Sequence, residues 1–149
     1  MGSAALDIPA DLLESPSFQL ERLRRRTRDR IESVLSHENI SLRGYWVLTC
    51  LTSSNASSQS TLCSILTMDA SDMVRLIDVL EKHGWAKRSR DPKDRRRQIV
   101  SATKKGRAAQ KRLSILVSQA EDTALEESTP KQLKHLRKLA QAIFAAEEV

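Results

Sequence analysis

Little in these 149 residues suits covalent chemistry. There are two cysteines, Cys50 and Cys63, too few for a disulfide framework and at a spacing that matches no metal motif. The histidines, His37, His83 and His135, lie far apart, and no zincin-type pair flanks a glutamate. The sequence has no nucleophile elbow, no P-loop and no dinucleotide fingerprint. These absences argue against an enzyme, and no cofactor and no metal are expected. No apolar run approaches the roughly 18 residues that span a bilayer, and no membrane partner is expected. The N-terminus has no basic segment followed by an apolar core, so no secretory signal is expected. The cytoplasm is the expected compartment. Internal repeats and low-complexity segments are also missing.

What is present is charge. The chain is 40% hydrophobic and 30% charged, with a net charge of +6 and a pI near 9.7. That is the balance of a globular protein with a polyanionic partner, most often nucleic acid. The charge is concentrated in "RSRDPKDRRRQIVS", residues 88–101, where six cations face only Asp91 and Asp94. Such a turn repels itself unless something negative lies against it.

Helical patterns dominate the rest. The first runs over 16–37, with Leu20, Leu23, Thr27, Ile31, Val34 and Leu35 recurring at helical spacing and Pro16 in the first turn. A second, 42–53, sets Tyr45, Leu48 and Leu51 on one face. "TSSNASS" (52–58) reads as a loop whose last serine caps a short helix, 58–65, that buries Leu62, Ile65 and Leu66. Asp69 caps the next helix, which runs to His83 before Gly84 stops it and which buries Met73, Ile77 and Leu80. Two strands follow, joined by the basic turn, and Trp85 at their base is expected in the core. Thr103 caps a helix to about 125, and Thr129-Pro130 with Gln132 opens the last with a capping box. Leu133, Leu136, Ala140, Ile143 and Phe144 form its apolar face.

Helix, short helix, turn, helix and basic hairpin make a winged helix-turn-helix. The expected fold is mainly α (α+β), a winged helix-turn-helix with a small β-hairpin wing and terminal dimerisation helices. Residues 1–149 form a single domain. Within it the winged unit spans 41–106, a long linking helix 104–125, and the dimerisation helices 16–37 and 126–147. A helix of this kind enters the major groove, and the wing lies beside it over phosphates or the minor groove. The arginines then find their counter-charge on DNA.

Residues 58–106, "SQSTLCSILTMDASDMVRLIDVLEKHGWAKRSRDPKDRRRQIVSATKKG", resemble the multiple-antibiotic-resistance regulator (MarR) family. The ensemble of spaced leucines before L-E-x-x-G, then D-P-x-D-R-R, then T-x-x-G carries the likeness, which extends over about 41–125. The resemblance implies a homodimer whose first and last helices pack around a two-fold axis, and a palindromic double-stranded operator. It also implies an effector between the dimer and DNA-binding regions. Ser58, Gln59, Ala70, Ser71, Asp72, Val74 and Arg75 match DNA-facing positions, with Arg75 placed for guanine or phosphate. Arg96 matches the arginine that reaches the minor groove, and Asp94 the acid that steadies it. Arg90, Arg95 and Arg97 add phosphate contacts. Where the family usually has glycine between the two short helices, this chain has Thr67. A β-branched residue is costly at positive φ, so another turn geometry is expected here.

The function expected is a homodimeric, sequence-specific transcription regulator, a repressor released by a small apolar or aromatic ligand near Tyr45 and Trp46. Trp46 stands out because that position suits a polar surface residue. Two alternatives stand beside this reading. One is a helical interaction protein whose basic surface meets another acidic partner. The other is thiol-based sensing through Cys50 or Cys63, against which both cysteines sit at core-like positions. The arginine run at 22–30 is expected to form solvated or interhelical ion pairs.

Overall fold

Polar caps set where most of the helices begin. The computed structural model describes residues 6–147. A one-turn helix α1 (Ala10–Leu13) precedes α2 (Pro16–Leu35), which ends in a 3₁₀ turn, Ser36–Glu38. Helix α3 (Leu42–Ser53) starts where Ser41 Oγ accepts from Gly44 N at 3.0 Å. A short strand β1 (Ser57–Ser58) leads into α4 (Gln59–Leu66), capped by Ser58, and α5 (Ala70–Lys82) is capped by Asp69. Strands β2 (Ala86–Arg90) and β3 (Gln98–Ala102) make the hairpin. Then come α6 (Lys104–Ala124), capped by Thr103, and α7 (Pro130–Glu147). The capping box at the start of α7 closes in both directions. Thr129 N donates to Gln132 Oε1 at 2.8 Å, and Gln132 N to Thr129 Oγ1 at 3.2 Å.

The sheet is antiparallel with order β1-β3-β2. Arg90 pairs with Gln98 at the wing end and Ala86 with Ala102 at the base. Strand β1 adds Ser57 opposite Val100, within a segment expected to be loop, and α1 was not anticipated either. The core gathers Leu35, Leu48, Leu51, Leu62, Met73, Ile77, Leu80, Val100 and Leu113, with Trp85 also buried. The expectation for α4 needs correction at one residue: Ile65 is 58% exposed, whereas Leu62 is buried. A two-turn helix offers its neighbours a narrow stripe, here Leu62 with part of Leu66, and Ile65 turns outward from it.

The turn between α4 and α5 is a second correction. Thr67 adopts φ 53° and ψ 55°, so the left-handed geometry is kept without glycine. Its amide stays with the helix, donating to Cys63 O, and Met68 N donates to the same carbonyl at 3.0 Å. A β-branched residue in this region is held there by surrounding structure at a cost of about 1–2 kcal/mol. Thr67→Gly should therefore stabilise the fold by about 0.5–1 kcal/mol, the gain being reduced by the freer unfolded chain. Denaturant midpoints at unchanged m check this.

Two features stand out in how the last helices meet the rest of the fold. Helix α6 begins tight against the hairpin base, where a β-carbon on Gly106 would lie 2.0 Å from Trp85 O. Thr103 fastens the same corner, donating through Oγ1 to Gly84 O at 2.6 Å and through N to Trp85 O at 2.9 Å. At the far end of the chain, α2 packs along α6, but among the described residues α7 makes no substantial packing with the other elements. Helix α7 buries no residue and leaves Leu136, Leu139, Ile143 and Phe144 exposed.

Candidate nucleic-acid interface

Helix α5 presents one buried and one open face. Met73, Ile77 and Leu80 point into the core, while Ala70, Ser71, Val74 and Arg75 are exposed. The first turn is tightly organised. Asp69 Oδ1 accepts from Asp72 N and from Ser71 Oγ, both at 2.8 Å. The Asp72 amide first, and then the Ser71 hydroxyl, hold the Asp69 carboxyl below its usual range. Its cap therefore contributes stability above the ordinary carboxylate pKa, and that contribution is lost as pH falls through the depressed value.

Asp72 is held by two arginines. Arg75 Nη2 donates to its Oδ1 at 2.8 Å, one turn along α5, and Arg43 Nη2 of α3 donates to its Oδ2 at 3.3 Å. The negative charge on this helix face is thus offset from both sides. Arg75 remains largely exposed and extends from the helix.

The wing turn, residues 91–97, is shaped by its two acids. Asp91 Oδ1 accepts from Lys93 N at 2.9 Å and Asp94 Oδ1 from Arg96 N at 3.1 Å. Arg97 N donates to Asp94 O and Asp91 N to Arg97 O, both at 3.0 Å. Arg96 is 96% exposed, with its Nε 3.7 Å from the Asp94 carboxylate. Asp94 therefore touches the backbone of Arg96 more closely than its guanidinium. An asparagine would keep the backbone bond and lose the ion pair. Asp94→Asn should accordingly weaken DNA binding little, whereas Asp94→Ala should cost about 1 kcal/mol through the loosened turn. Titrations of both variants on one duplex check the difference.

Arg88 behaves unlike the other basic residues of the hairpin. Its side chain is 17% exposed, and the guanidinium pairs with Asp78 at 2.6 Å and with Glu81. It also donates to Val74 O at 3.0 Å. It fixes the wing to α5, so part of the charge that looked uncompensated in sequence is balanced inside the chain. The signal for it was present: Asp78 and Glu81 lie three apart on α5, on one helix face.

A cleft of about 440 Å³ brings Gln59 and Cys63 of α4, Ala70 of α5, and Arg96 and Arg97 of the wing together. Gln59 Oε1 is buried and has no partner among the described residues. Ser58 also borders this cleft, but its residue is buried and its hydroxyl accepts from Thr61 N at 3.1 Å. It belongs to the frame of α4. Arg90 and Arg95 stand exposed at the wing's edge, outside the cleft.

Tyr45 and Trp46 diverge. Tyr45 packs against the core, and Trp46 opens onto a separate cleft of about 300 Å³ between α2, α3 and the α4–α5 turn. Arg24, Arg28 and Arg43 face it against a single acid, Glu32. Elsewhere in the arginine run, Arg26 reaches Glu127 at 2.6 and 2.8 Å, and this bond lowers the Glu127 pKa. Both cysteines are free and partly buried, and burial pushes the Cys50 thiol up, away from the reactive thiolate. His83 stacks on Trp85 with ring centroids 4.0 Å apart, and its Nε2 lies 2.9 Å from Asn39 O. No helix among the described residues is long and apolar enough to cross a membrane.

Residues 40–97 match the model of the MarR family. No curated protein sequence matches the chain. Solved structures share its fold throughout. A MarR-family transcriptional regulator from Rhodococcus sp. RHA1 superposes with a TM-score of 0.82 at 24% identity, covering 92% of this chain and 95% of that one. CouR from Rhodococcus jostii RHA1, bound to p-coumaroyl-CoA, gives 0.79 at 22% identity, covering 91% and 95%. A mutant MarR from E. coli complexed with operator DNA gives 0.75 at 21% identity, covering 85% and 91%.

Proposed function

We propose that this chain is a MarR-type regulator that binds a palindromic operator as a homodimer and represses transcription, a reading supported by the match of residues 40–97 to the MarR family model and by the shared fold. The observation that carries this reading is the open face of α5 standing beside an exposed arginine wing, with Arg88 fixing one to the other. In this reading Ser71, Asp72 and Arg75 meet base edges, and Val74 suits a thymine methyl. Arg96 enters the minor groove, while Arg90, Arg95, Arg97 and Gln59 hold phosphate and sugar. Asp94 shapes the turn that carries Arg96. The dimer forms through α7 and the part of α2 that carries the exposed Leu20 and Leu23.

The effector is an aromatic or apolar small molecule seated beside Trp46, and its binding releases DNA by favouring a conformation that does not bind. The bound p-coumaroyl-CoA of CouR is an aromatic ligand on a similar fold, in line with this choice. Selection of bound duplexes from a random pool tests the function. A palindrome with half-sites about one helical turn apart is expected. A pool that shows no enrichment, with binding governed by charge alone, would favour a helical protein that meets some other acidic partner.

A further inference from the structure

Asp72 lies between two arginines that come from different helices. Arg75, one turn along α5, donates from Nη2 to its Oδ1 at 2.8 Å, and Arg43 of α3 donates from Nη2 to its Oδ2 at 3.3 Å. Each carboxylate oxygen thus has its own arginine. The side chains are 75% exposed for Arg75, 43% for Arg43 and 31% for Asp72, so Arg75 is the outermost of the three. An exposed arginine has many rotamers, and ordering it on a base costs conformational entropy. A carboxylate that already holds one nitrogen lowers that cost and leaves the other N–H groups of the fork for the base. The carboxylate must itself be held, since an unanchored Asp72 would follow Arg75 instead of orienting it. Arg43 supplies the anchor from a fixed base: Leu42 beside it is buried, and the Leu42 amide donates to Glu32 Oε1 at 2.8 Å. A guanidinium and a carboxylate side by side match the major-groove edge of a G·C pair, where guanine offers two acceptors and cytosine an amine donor.

We propose that Arg43 is a specificity-positioning residue: through Asp72 it orients Arg75, and the three together commit each half-site to a G·C pair opposite Arg75. Arg43 exerts this effect from α3, through the carboxylate and without touching the base. Its positive charge also offsets Asp72, which would otherwise repel the phosphates on either side of the groove. This role rests on the DNA-binding reading above. It adds the base pair that α5 selects and a residue outside α5 that enforces the choice.

Titrations on the selected operator, and on duplexes with each half-site G·C pair changed in turn to A·T, test the role. The wild type should lose about tenfold to a hundredfold at the pair that Arg75 reads. That pair is identified as the one whose exchange no longer matters to Arg75→Ala. Arg43→Met keeps the stem and removes the charge. It should shrink the loss at that pair about three- to fivefold, the scale of an exposed ion pair, and leave losses at other pairs unchanged. Arg43→Lys can still donate to Oδ2 and should restore most of the discrimination. In an Asp72→Ala background Arg43→Met should change the discrimination no further. An Arg43→Met protein that binds every duplex more weakly by the same factor, with a salt slope flatter by about one unit, would make Arg43 a phosphate contact and overturn the role. Unchanged discrimination with a lowered melting temperature would overturn it as well and leave the ion pair structural only. A wild type that enriches a sequence yet loses nothing at any G·C pair would overturn the base assignment while sequence-specific binding stands. Enrichment of no sequence at all would remove the operator reading, and this role with it.

Discussion

Gly106→Ala should destabilise the protein by about 3 kcal/mol or more and abolish DNA binding at temperatures where the wild type is folded. The added methyl would lie 2.0 Å from the Trp85 carbonyl oxygen and 2.8 Å from its carbon, both backbone atoms that no rotamer change can move aside. Relief requires the start of α6 to separate from the base of β2, which breaks the Thr103 bonds to Gly84 and Trp85. Overpacking of this kind costs about 1–3 kcal/mol when neighbours yield, and more when the neighbour is backbone. Ala109, one turn further along α6, is also buried and makes a useful contrast. There Ala109→Gly should cost only about 1 kcal/mol, from helix propensity and the missing methyl. Thermal unfolding of the two variants separates a steric requirement for glycine from general sensitivity of the helix.

Removal of α7 should convert the proposed dimer to a monomer and weaken operator binding by about a hundredfold or more, while leaving the winged domain folded. Leu136, Leu139, Ile143 and Phe144 of α7 are exposed, and the helix makes no substantial packing with the other described elements of its chain. Eighteen residues of helix make a rod about 27 Å long with an apolar stripe along it. A second copy is the natural cover, because self-association places two winged domains on one duplex. Truncation removes the linkage between half-sites, for which factors of about 10²–10⁴ are usual. Light scattering, circular dichroism and a binding titration on residues 1–128 check the three parts of the expectation. A truncated chain that stays dimeric would place the interface on α2 or elsewhere.

Helix starts were the most legible part of the sequence, because a cap is a local interaction between a side chain and an amide three residues on. Ser58, Asp69, Thr103 and Thr129 all act where the pattern placed them. Strand β1 was not legible, since two serines gain strand geometry only by pairing with Val100 and Ile99, far along the chain. The exposure of Ile65 depends on which neighbours reach α4, and periodicity does not encode that. Thr67 shows the opposite limit: a residue with a poor intrinsic preference is carried into the left-handed region by the helices on either side. For the proposed DNA-facing surface, residue types and spacing picked out the arginines of the wing. They did not separate Arg88, which the acids of α5 hold, from Arg96, which is free to leave the protein surface. Nor did they reveal Arg43, whose tie to Asp72 joins residues on different helices.

Helix α5 is expected to read sequence while the wing supplies charge. Titrations of the wild type and Arg75→Ala, each on the selected duplex and on a scrambled duplex of the same composition at several salt concentrations, separate the two roles. Arg75→Ala should lose about 1–3 kcal/mol on the selected duplex and much less on the scrambled one, so that discrimination narrows. Arg95→Ala, measured alongside, should weaken both duplexes alike and flatten the salt slope by about one unit for each phosphate that the variant no longer neutralises. An Arg75→Ala protein that keeps its full preference for the selected duplex would contradict this division of roles.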